Sequence, residues 1–196
     1  MSEPIRLNLL FFGSENSGKT CLIRRIVSNK FPSKREQTIG VDFCTWPFQL
    51  DVVEKDKSSS LHVILQFFDL GGNDFYKLVR TEFYKQDASI HASLLCFDTS
   101  NRASFESLDS WYQEAQINGL VSSEMMIPII LCGCKSDQLP RTVTYEEAKE
   151  WAKLHSITYY ETSASIGIGH IELVTILASE AYKRYLYTSK YILHMN

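Results

Sequence analysis

Eight residues constrain this chain more than any others: Gly13-Ser14-Glu15-Asn16-Ser17-Gly18-Lys19-Thr20, a G-x-x-x-x-G-K-T run directly after the apolar segment Leu7 to Phe12. Glycines at its two ends let the backbone curl so that successive N–H groups face inward. Lys19 can then reach β- and γ-phosphates, and the Thr20 hydroxyl can ligate Mg²⁺. Such a phosphate-binding loop needs a strand before it and a helix after it. Ile5 to Phe12 reads as a buried strand, and Lys19 to Val27 carries Cys21, Leu22, Ile23 and Ile26 at helical spacing. The helix N-terminus then adds its dipole to the phosphate site.

The rest of the chain alternates strand and helix patterns. Asn29 to Gly40, interrupted by Pro32, reads as an exposed loop, and Val41 to Val53 as a strand rich in aromatic and β-branched residues. Glu54-Lys55-Asp56-Lys57-Ser58-Ser59-Ser60 suits a hairpin end, with Leu61 to Phe68 the returning, antiparallel strand. After Asp69-Leu70-Gly71-Gly72 breaks the pattern, Asp74 to Lys85 reads as an irregular helix and Ser89 to Phe97 as a buried strand. Ala103 to Ile117 is a helix, Met126 to Gly133 an apolar strand, Tyr145 to His155 an amphipathic helix, Ile157 to Tyr160 a short strand and Ile171 to Leu186 a final helix. This order predicts an α/β fold, a mostly parallel sheet covered on both faces with its ligand at the strands' carboxyl ends.

At 196 residues the chain suits one domain, residues 1–196. A formal net charge of −3 gives no electrostatic reason to bind nucleic acid or acidic lipid. Five cysteines, Cys21, Cys44, Cys96, Cys132 and Cys134, fall inside apolar patterns behind no apolar leader, which predicts a reducing, cytoplasmic compartment. Cys132 and Cys134 stand two apart with no second pair at ligand spacing, which argues against zinc. No apolar run reaches the length of about 20 residues that spans a bilayer. Ser2 after Met1, and a last stretch Tyr191 to Asn196 without cysteine, predict neither N-myristoylation nor prenylation, hence no direct lipid anchor.

Four segments downstream of the loop give the chain a family likeness. It resembles a small GTPase of the Ras superfamily, closest to the Rab branch, which implies a P-loop NTPase G domain with a six-stranded, mostly parallel sheet and one antiparallel strand. Thr38-Ile39-Gly40-Val41-Asp42-Phe43 resembles the Rab first switch, with Thr38 sensing the γ-phosphate through Mg²⁺, and Asp69-x-x-Gly72 resembles the second, with Asp69 holding the Mg²⁺ shell and Gly72 bonding the γ-phosphate. The implied metal set is Thr20, Thr38 and Asp69. Phe31 stands where the family sets an aromatic edge against guanine; a loop phenylalanine covering core is the alternative. Phe43, Phe68 and Phe83 occupy the effector-facing aromatic positions, and core packing accounts for them equally well. Gly133-Cys134-Lys135-Ser136-Asp137 resembles N-K-x-D, and Glu161-Thr162-Ser163-Ala164-Ser165 resembles E-T-S-A-K. The resemblance thus implies nucleotide contacts at Gly13, Glu15, Asn16, Ser17, Gly18, Lys19, Thr20, Cys21, Phe31, Thr38, Gly72, Cys134, Lys135, Asp137, Ser163, Ala164 and Ser165, with GTP or GDP and Mg²⁺ as ligands. Asp137 reads the guanine N1–H and 2-amino edge.

The departures concern catalysis and affinity. Asn73 follows Gly72 where the family has its catalytic glutamine, one methylene longer, and Glu15 replaces a small residue and repels the γ-phosphate unless it turns outward. Both predict slow hydrolysis at a site where Lys19 and Asn73 are the catalytic positions, and poor help from an arginine finger in trans. Cys134 replaces an asparagine, and a thiol is a weak donor and acceptor, so nucleotide binding is expected to be weaker by roughly one to two decades. Ser165 replaces a lysine. The glutamine-less second switch and Val79 to Lys85 resemble the Rab-like proteins that often carry a C-terminal DnaJ domain, here without that domain. That likeness implies a monomeric switch acting through effectors and exchange factors in trafficking or signalling, with the ciliary base as one location. Two alternatives stay open: a pseudo-GTPase scaffold, and an ordinary turnover GTPase that positions water with another group.

Overall fold

The computed structural model describes residues 3–34, 36–54, 57–85, 89–121 and 127–195. Lys55, Asp56 and Met126 lie outside them, as do Met1, Ser2 and Asn196 on which the lipidation reading turns. Among the described residues the strands are β1 (Ile5–Gly13), β2 (Val41–Glu54), β3 (Lys57–Leu70), β4 (Ala92–Asp98), β5 (Ile129–Cys134) and β6 (Thr158–Glu161). The helices among them are α1 (Lys19–Ser28), α2 (Lys77–Tyr84), α3 (Arg102–Glu106), α4 (Leu108–Ile117), α5 (Tyr145–Leu154) and α6 (His170–Met195), with a 3₁₀ turn at Asp74–Tyr76. The strands form one sheet in the order β2-β3-β1-β4-β5-β6; only β2 runs antiparallel, against β3, and the other pairs are parallel. This is the predicted α/β architecture.

Alternation along β1 builds the core on both faces, since successive side chains of a strand point to opposite sides. Leu7, Leu9 and Phe11 pack with Leu22, Ile23 and Ile26 of α1 and Leu173, Val174, Leu177 and Ala178 of α6. Leu10 and Phe12 pack on the other face with Tyr84, Phe105, Leu108, Trp111 and Ala148, from α2 to α5. All seven residues of β4 are buried, as a strand covered on both faces requires. Pro47 sits in β2 without penalty because β2 is the sheet edge, where a missing N–H faces no neighbour.

Beyond shorter shifts at strand ends, such as β4 beginning at Ala92 and not Ser89 and β3 running through Asp69 and Leu70, three boundaries differ from the sequence reading. The pairing of β2 with β3 runs on to Glu54↔Lys57, so Ser58, Ser59 and Ser60 are strand residues and not part of the hairpin end; pairing on a half-exposed edge overrides their low strand preference. The helix expected over 103–117 is two helices, parted at Ser107, whose hydroxyl meets Ser14 Oγ at 2.7 Å. The final helix runs to Met195 instead of ending near Leu186. No helix among the described residues is long and apolar enough to cross a membrane.

A buried histidine at the amino end of β4 makes stability depend on pH. His91 Nδ1 accepts the Asn8 backbone N–H at 2.9 Å, a bond that needs a neutral ring. Burial, helped by the nearby Arg184 guanidinium, lowers its pKa to about 4. The unfolded chain, with an ordinary imidazole near 6.5, takes up the proton first, so this contribution is full above pH of about 6.5 and is lost as pH falls towards about 4. The expected loss is roughly 3 kcal/mol. Urea titrations at several pH values check it: the acid slope should flatten in His91→Asn.

Candidate nucleotide site

The phosphate loop leaves β1 at Gly13 and enters α1 through Gly18, and both glycines hold positive φ, +124° and +114°. At Gly13 no side chain fits, because a Cβ would stand 2.2 Å from the Cys96 carbonyl oxygen. The loop borders a cavity of about 250 Å³. Glu15, Asn16, Gly18, Lys19, Thr20 and Cys21 line it from the loop and α1, Phe31 and Thr38 from the segment after α1, and Gly72 from the loop after β3. Cys134, Lys135 and Asp137 line it from the end of β5, and Ala164 and Ser165 from the loop after β6.

Five predicted positions lie outside that lining. Gly13 and Ser17 are buried behind the loop, where Ser17 Oγ accepts from Lys19 Nζ at 3.4 Å. Both positions hold the Lys19 ammonium from behind the lining. Ser163 is buried and supports Asp137, Asp69 lies beneath the two threonine hydroxyls, and Asn73 stands beside the cavity against Glu15.

At the phosphate end Lys19 Nζ donates to Gly13 O at 2.8 Å and Ser14 O at 2.9 Å. Burial lowers its pKa, partly opposed by Asp69. Thr20 and Thr38 hydroxyls meet at 2.9 Å, Thr20 donates to Asp69 Oδ2, and Thr38 Oγ1 lies 3.3 Å from the same oxygen. Asp69 Oδ1 is buried without a hydrogen-bond partner among the described residues, and burial raises the pKa of this carboxyl against Lys19 and both threonines. An orphaned carboxylate oxygen beside two hydroxyls is a hard-oxygen donor set that fits Mg²⁺.

At the opposite end Asp137 accepts from Ser163 Oγ at 2.5 Å and Ser165 Oγ at 2.6 Å. Burial raises this carboxyl, but the two hydroxyls outweigh it and hold the group below the ordinary carboxylate range. Lys135, at φ +58°, stretches its stem along the cavity and donates to Asp98 Oδ2 at 2.6 Å. A Cβ on Gly18 would stand 3.0 Å from Cys134 Cβ and 3.5 Å from its Sγ, so the cysteine packs under the loop.

The two departures from the family pattern hold each other. Asn73 Nδ2 donates to Glu15 Oε2 at 2.9 Å, and Asn73 Oδ1 caps the 3₁₀ turn by accepting from Phe75 N at 2.9 Å. Gly72 permits this approach, because a Cβ there would lie 2.3 Å from Glu15 N. Glu15 therefore turns neither outward nor away from the second switch. The switches also touch through Gly71 N donating to Gly40 O at 2.8 Å. Beside them Ile39, Phe43, Phe75, Leu78 and Val79 are exposed, and Phe43, Phe68 and Phe83 pack in succession as tilted rings with centroids 5.1 and 5.6 Å apart.

Sequence reasoning missed several supports. Arg25 of α1 donates to Ala164 O at 2.6 Å and Ser165 O at 2.9 Å, tying the phosphate helix to the base loop. Trp111 Nε1 donates to Ser14 Oγ at 3.0 Å, and Arg80 reaches Asn73 O at 2.9 Å. Strand register sets Cys96 beside Cys132, adding a third thiol to the pair at Cys132 and Cys134. No local motif announces these contacts, because each joins residues distant in sequence.

A glycine-flanked Lys-Thr loop closing a parallel strand, with a carboxylate and backbone amides at the far end of the same cavity, defines a P-loop nucleotide-binding protein. The chain belongs to the Ras family, whose family model matches residues 8–183. It is 31% identical over 172 residues to the Ras-related protein Rab-32D of Dictyostelium discoideum, covering 86% of this chain and 70% of that protein. It is 32% identical over 193 residues to the human Ras-related protein Rab-9B, covering 98% and 89%. The DnaJ homolog subfamily C member 27-B of Xenopus laevis is 32% identical over 178 residues, and there the chain spans only 60% of the relative's length. Membership makes this a Rab-like small GTPase domain, a guanine-nucleotide-binding switch.

Proposed function

We propose that the chain is a slow switch, binding GTP or GDP with Mg²⁺ in this cavity and signalling through its two switch segments to protein effectors. The observation that carries the slow-hydrolysis reading is the 2.9 Å bond from Asn73 to Glu15. The amide at the glutamine position is already committed, and it is one methylene short of the length that orients water in this class. In this reading Lys19 balances phosphate charge and Thr20, Thr38 and Asp69 hold Mg²⁺, which supplies further neutralisation of the β- and γ-oxygens. Asp137 accepts from guanine, with Ser163 and Ser165 fixing its rotamer, and Phe31 covers the base edge. The exposed apolar residues at Ile39, Phe43, Phe75, Leu78 and Val79 supply a surface for effectors. All five cysteines lie outside disulfides, which supports a reducing, cytoplasmic compartment.

The test is nucleotide content and single-turnover hydrolysis of the purified protein. Released nucleotide should be guanine, largely retained as GTP, with phosphate release over hours. Glu15→Gly with Asn73→Gln should raise the hydrolysis rate by about tenfold or more, whereas Asn73→Gln alone should do less because Glu15 still captures the amide. Rapid steady turnover by the unmodified protein would overturn the reading in favour of another water-positioning group.

A further inference from the structure

Cys96 of β4 and Cys132 and Cys134 of β5 bring three sulfur atoms within 4.8 Å of one another, all buried. Parallel pairing sets Cys96 beside Cys132, and strand alternation puts Cys134 on the same face as Cys132, at a sulfur separation of 3.8 Å. Three sulfurs each about 2.3 Å from one metal stand about 4 Å apart; the Cys132–Cys134 pair already has that spacing, and Cys96 Sγ lies within 4.8 Å of both. Its donors among the described residues are all thiols, without imidazole or carboxylate, and the Thr162 hydroxyl lies 3.4 Å from Cys132 Sγ. Such a set suits a soft cation and not Mg²⁺. A way in exists, because Cys134 and Thr162 line the nucleotide cavity. Hydrogen bonds from Cys132 and Cys96, with the Lys19 charge behind them, hold the Cys134 thiol well below its ordinary value, whereas burial pushes Cys96 up and the hydrogen bond with Cys134 pushes Cys132 up, so the cation itself must displace those two protons.

We propose that Cys96, Cys132 and Cys134 form a soft-cation site, a Cu(I) tris-thiolate beneath the phosphate loop, filled when the cavity holds no nucleotide and antagonised by nucleotide. Counted from the three neutral thiols, loading replaces three S–H bonds with three S–Cu bonds and passes three protons to solvent. No electron is transferred. The resulting centre carries two net negative charges and draws on Lys19, the same ammonium a bound di- or triphosphate engages, so each ligand weakens the other by the same factor. This antagonism rests on the nucleotide reading above; the sulfur site itself does not.

The experiment titrates Cu(I), without oxygen and against a chromophoric Cu(I) chelator, into the full chain stripped of nucleotide and into the same chain loaded with GDP. One Cu(I) per chain with three sulfur neighbours by X-ray absorption is expected, with affinity about tenfold or more lower in the GDP form. Cys132→Val replaces a buried thiol outside the cavity lining by a side chain of similar volume, and should lower Cu(I) affinity about 100-fold or more while leaving GDP binding within about threefold. Cys96→Ala provides a second removal if Cys132→Val fails to fold. Substituting Cys21 and Cys44 by serine should leave Cu(I) binding intact. Wild-type Cu(I) affinity in Cys132→Val or Cys96→Ala, or fewer than three sulfur neighbours, would overturn the site. Equal Cu(I) affinity with and without GDP would overturn the antagonism. A wild-type chain that binds Cu(I) as expected but no guanine nucleotide would overturn the function proposed above and leave the sulfur site standing.

Discussion

Replacing Arg80 with methionine is expected to lower the unfolding free energy by about 3 kcal/mol or more, because it leaves a carboxylate at the packed face of α4 without its partner. The Arg80 side chain is 2% exposed and that of Glu114 11%. Arg80 Nε donates to Glu114 Oε1 at 2.6 Å and a second guanidinium nitrogen to Oε2 at 3.1 Å, a bidentate pair, while the guanidinium lies 4.5 Å over the Trp111 ring. Its third arm holds Asn73 O at 2.9 Å. Asp74 adds little, since its side chain is 94% exposed and water screens the pair. Lys77, 3.6 Å from Glu114 Oε2 but 60% exposed, recovers only part of the loss. Urea unfolding is the measurement. Arg80→Met combined with Glu114→Leu should regain most of the stability, since removing both charges removes the desolvation that the single change leaves uncompensated. A single-variant loss below about 1 kcal/mol would show that Glu114 escapes to water and that the pair is not buried in solution.

Arg80 also shows where sequence reading stops. Nothing in Val79-Arg80-Thr81-Glu82 marks the arginine as buried, and packing of α2 against α4 turns it inward. The phosphate loop, the Asp69 and Gly72 pair, the Lys135 and Asp137 pair and the alternation of strands with helices were legible because each is set by spacing within a few residues. Glu15 and Asn73 were each legible as departures from the family pattern. Their bond was not, because it needs Gly72 pressed against the loop backbone, a contact across 58 positions. The same holds for the thiols: Cys132 and Cys134 share a face by alternation, but Cys96 joins them through strand register alone. Ser58 to Ser60 mislead for another reason, since their own preference is for a turn and hairpin pairing with the end of β2 overrides it.

Asp137→Asn is expected to weaken GDP binding by about 100-fold or more and to move preference towards xanthosine diphosphate. The Asp137 carboxylate is acceptor-only, and its two oxygens retain lone pairs beyond those taken by Ser163 and Ser165, so it can meet the two donors of guanine, N1–H and the 2-amino group. An asparagine presents one acceptor and one N–H₂, and that amide faces the guanine 2-amino group donor to donor. Losing one charge-assisted bond and leaving a donor unpaired costs about 3 kcal/mol, which is about two decades in affinity. Xanthine carries an oxygen in place of the 2-amino group, so the new amide donor finds an acceptor there. The two serine hydroxyls can reorient, because each is both donor and acceptor, and the loop should hold its shape; Lys135 remains tied to Asp98. Competition of labelled GDP by GDP and by xanthosine diphosphate gives the ratio directly. Loss of both ligands together would mean that the substitution unfolds the base loop, which thermal unfolding would register. An unchanged ratio in a folded variant would mean that Asp137 does not read the base, and discrimination would fall to the Ala164 amide and the chain around Cys134.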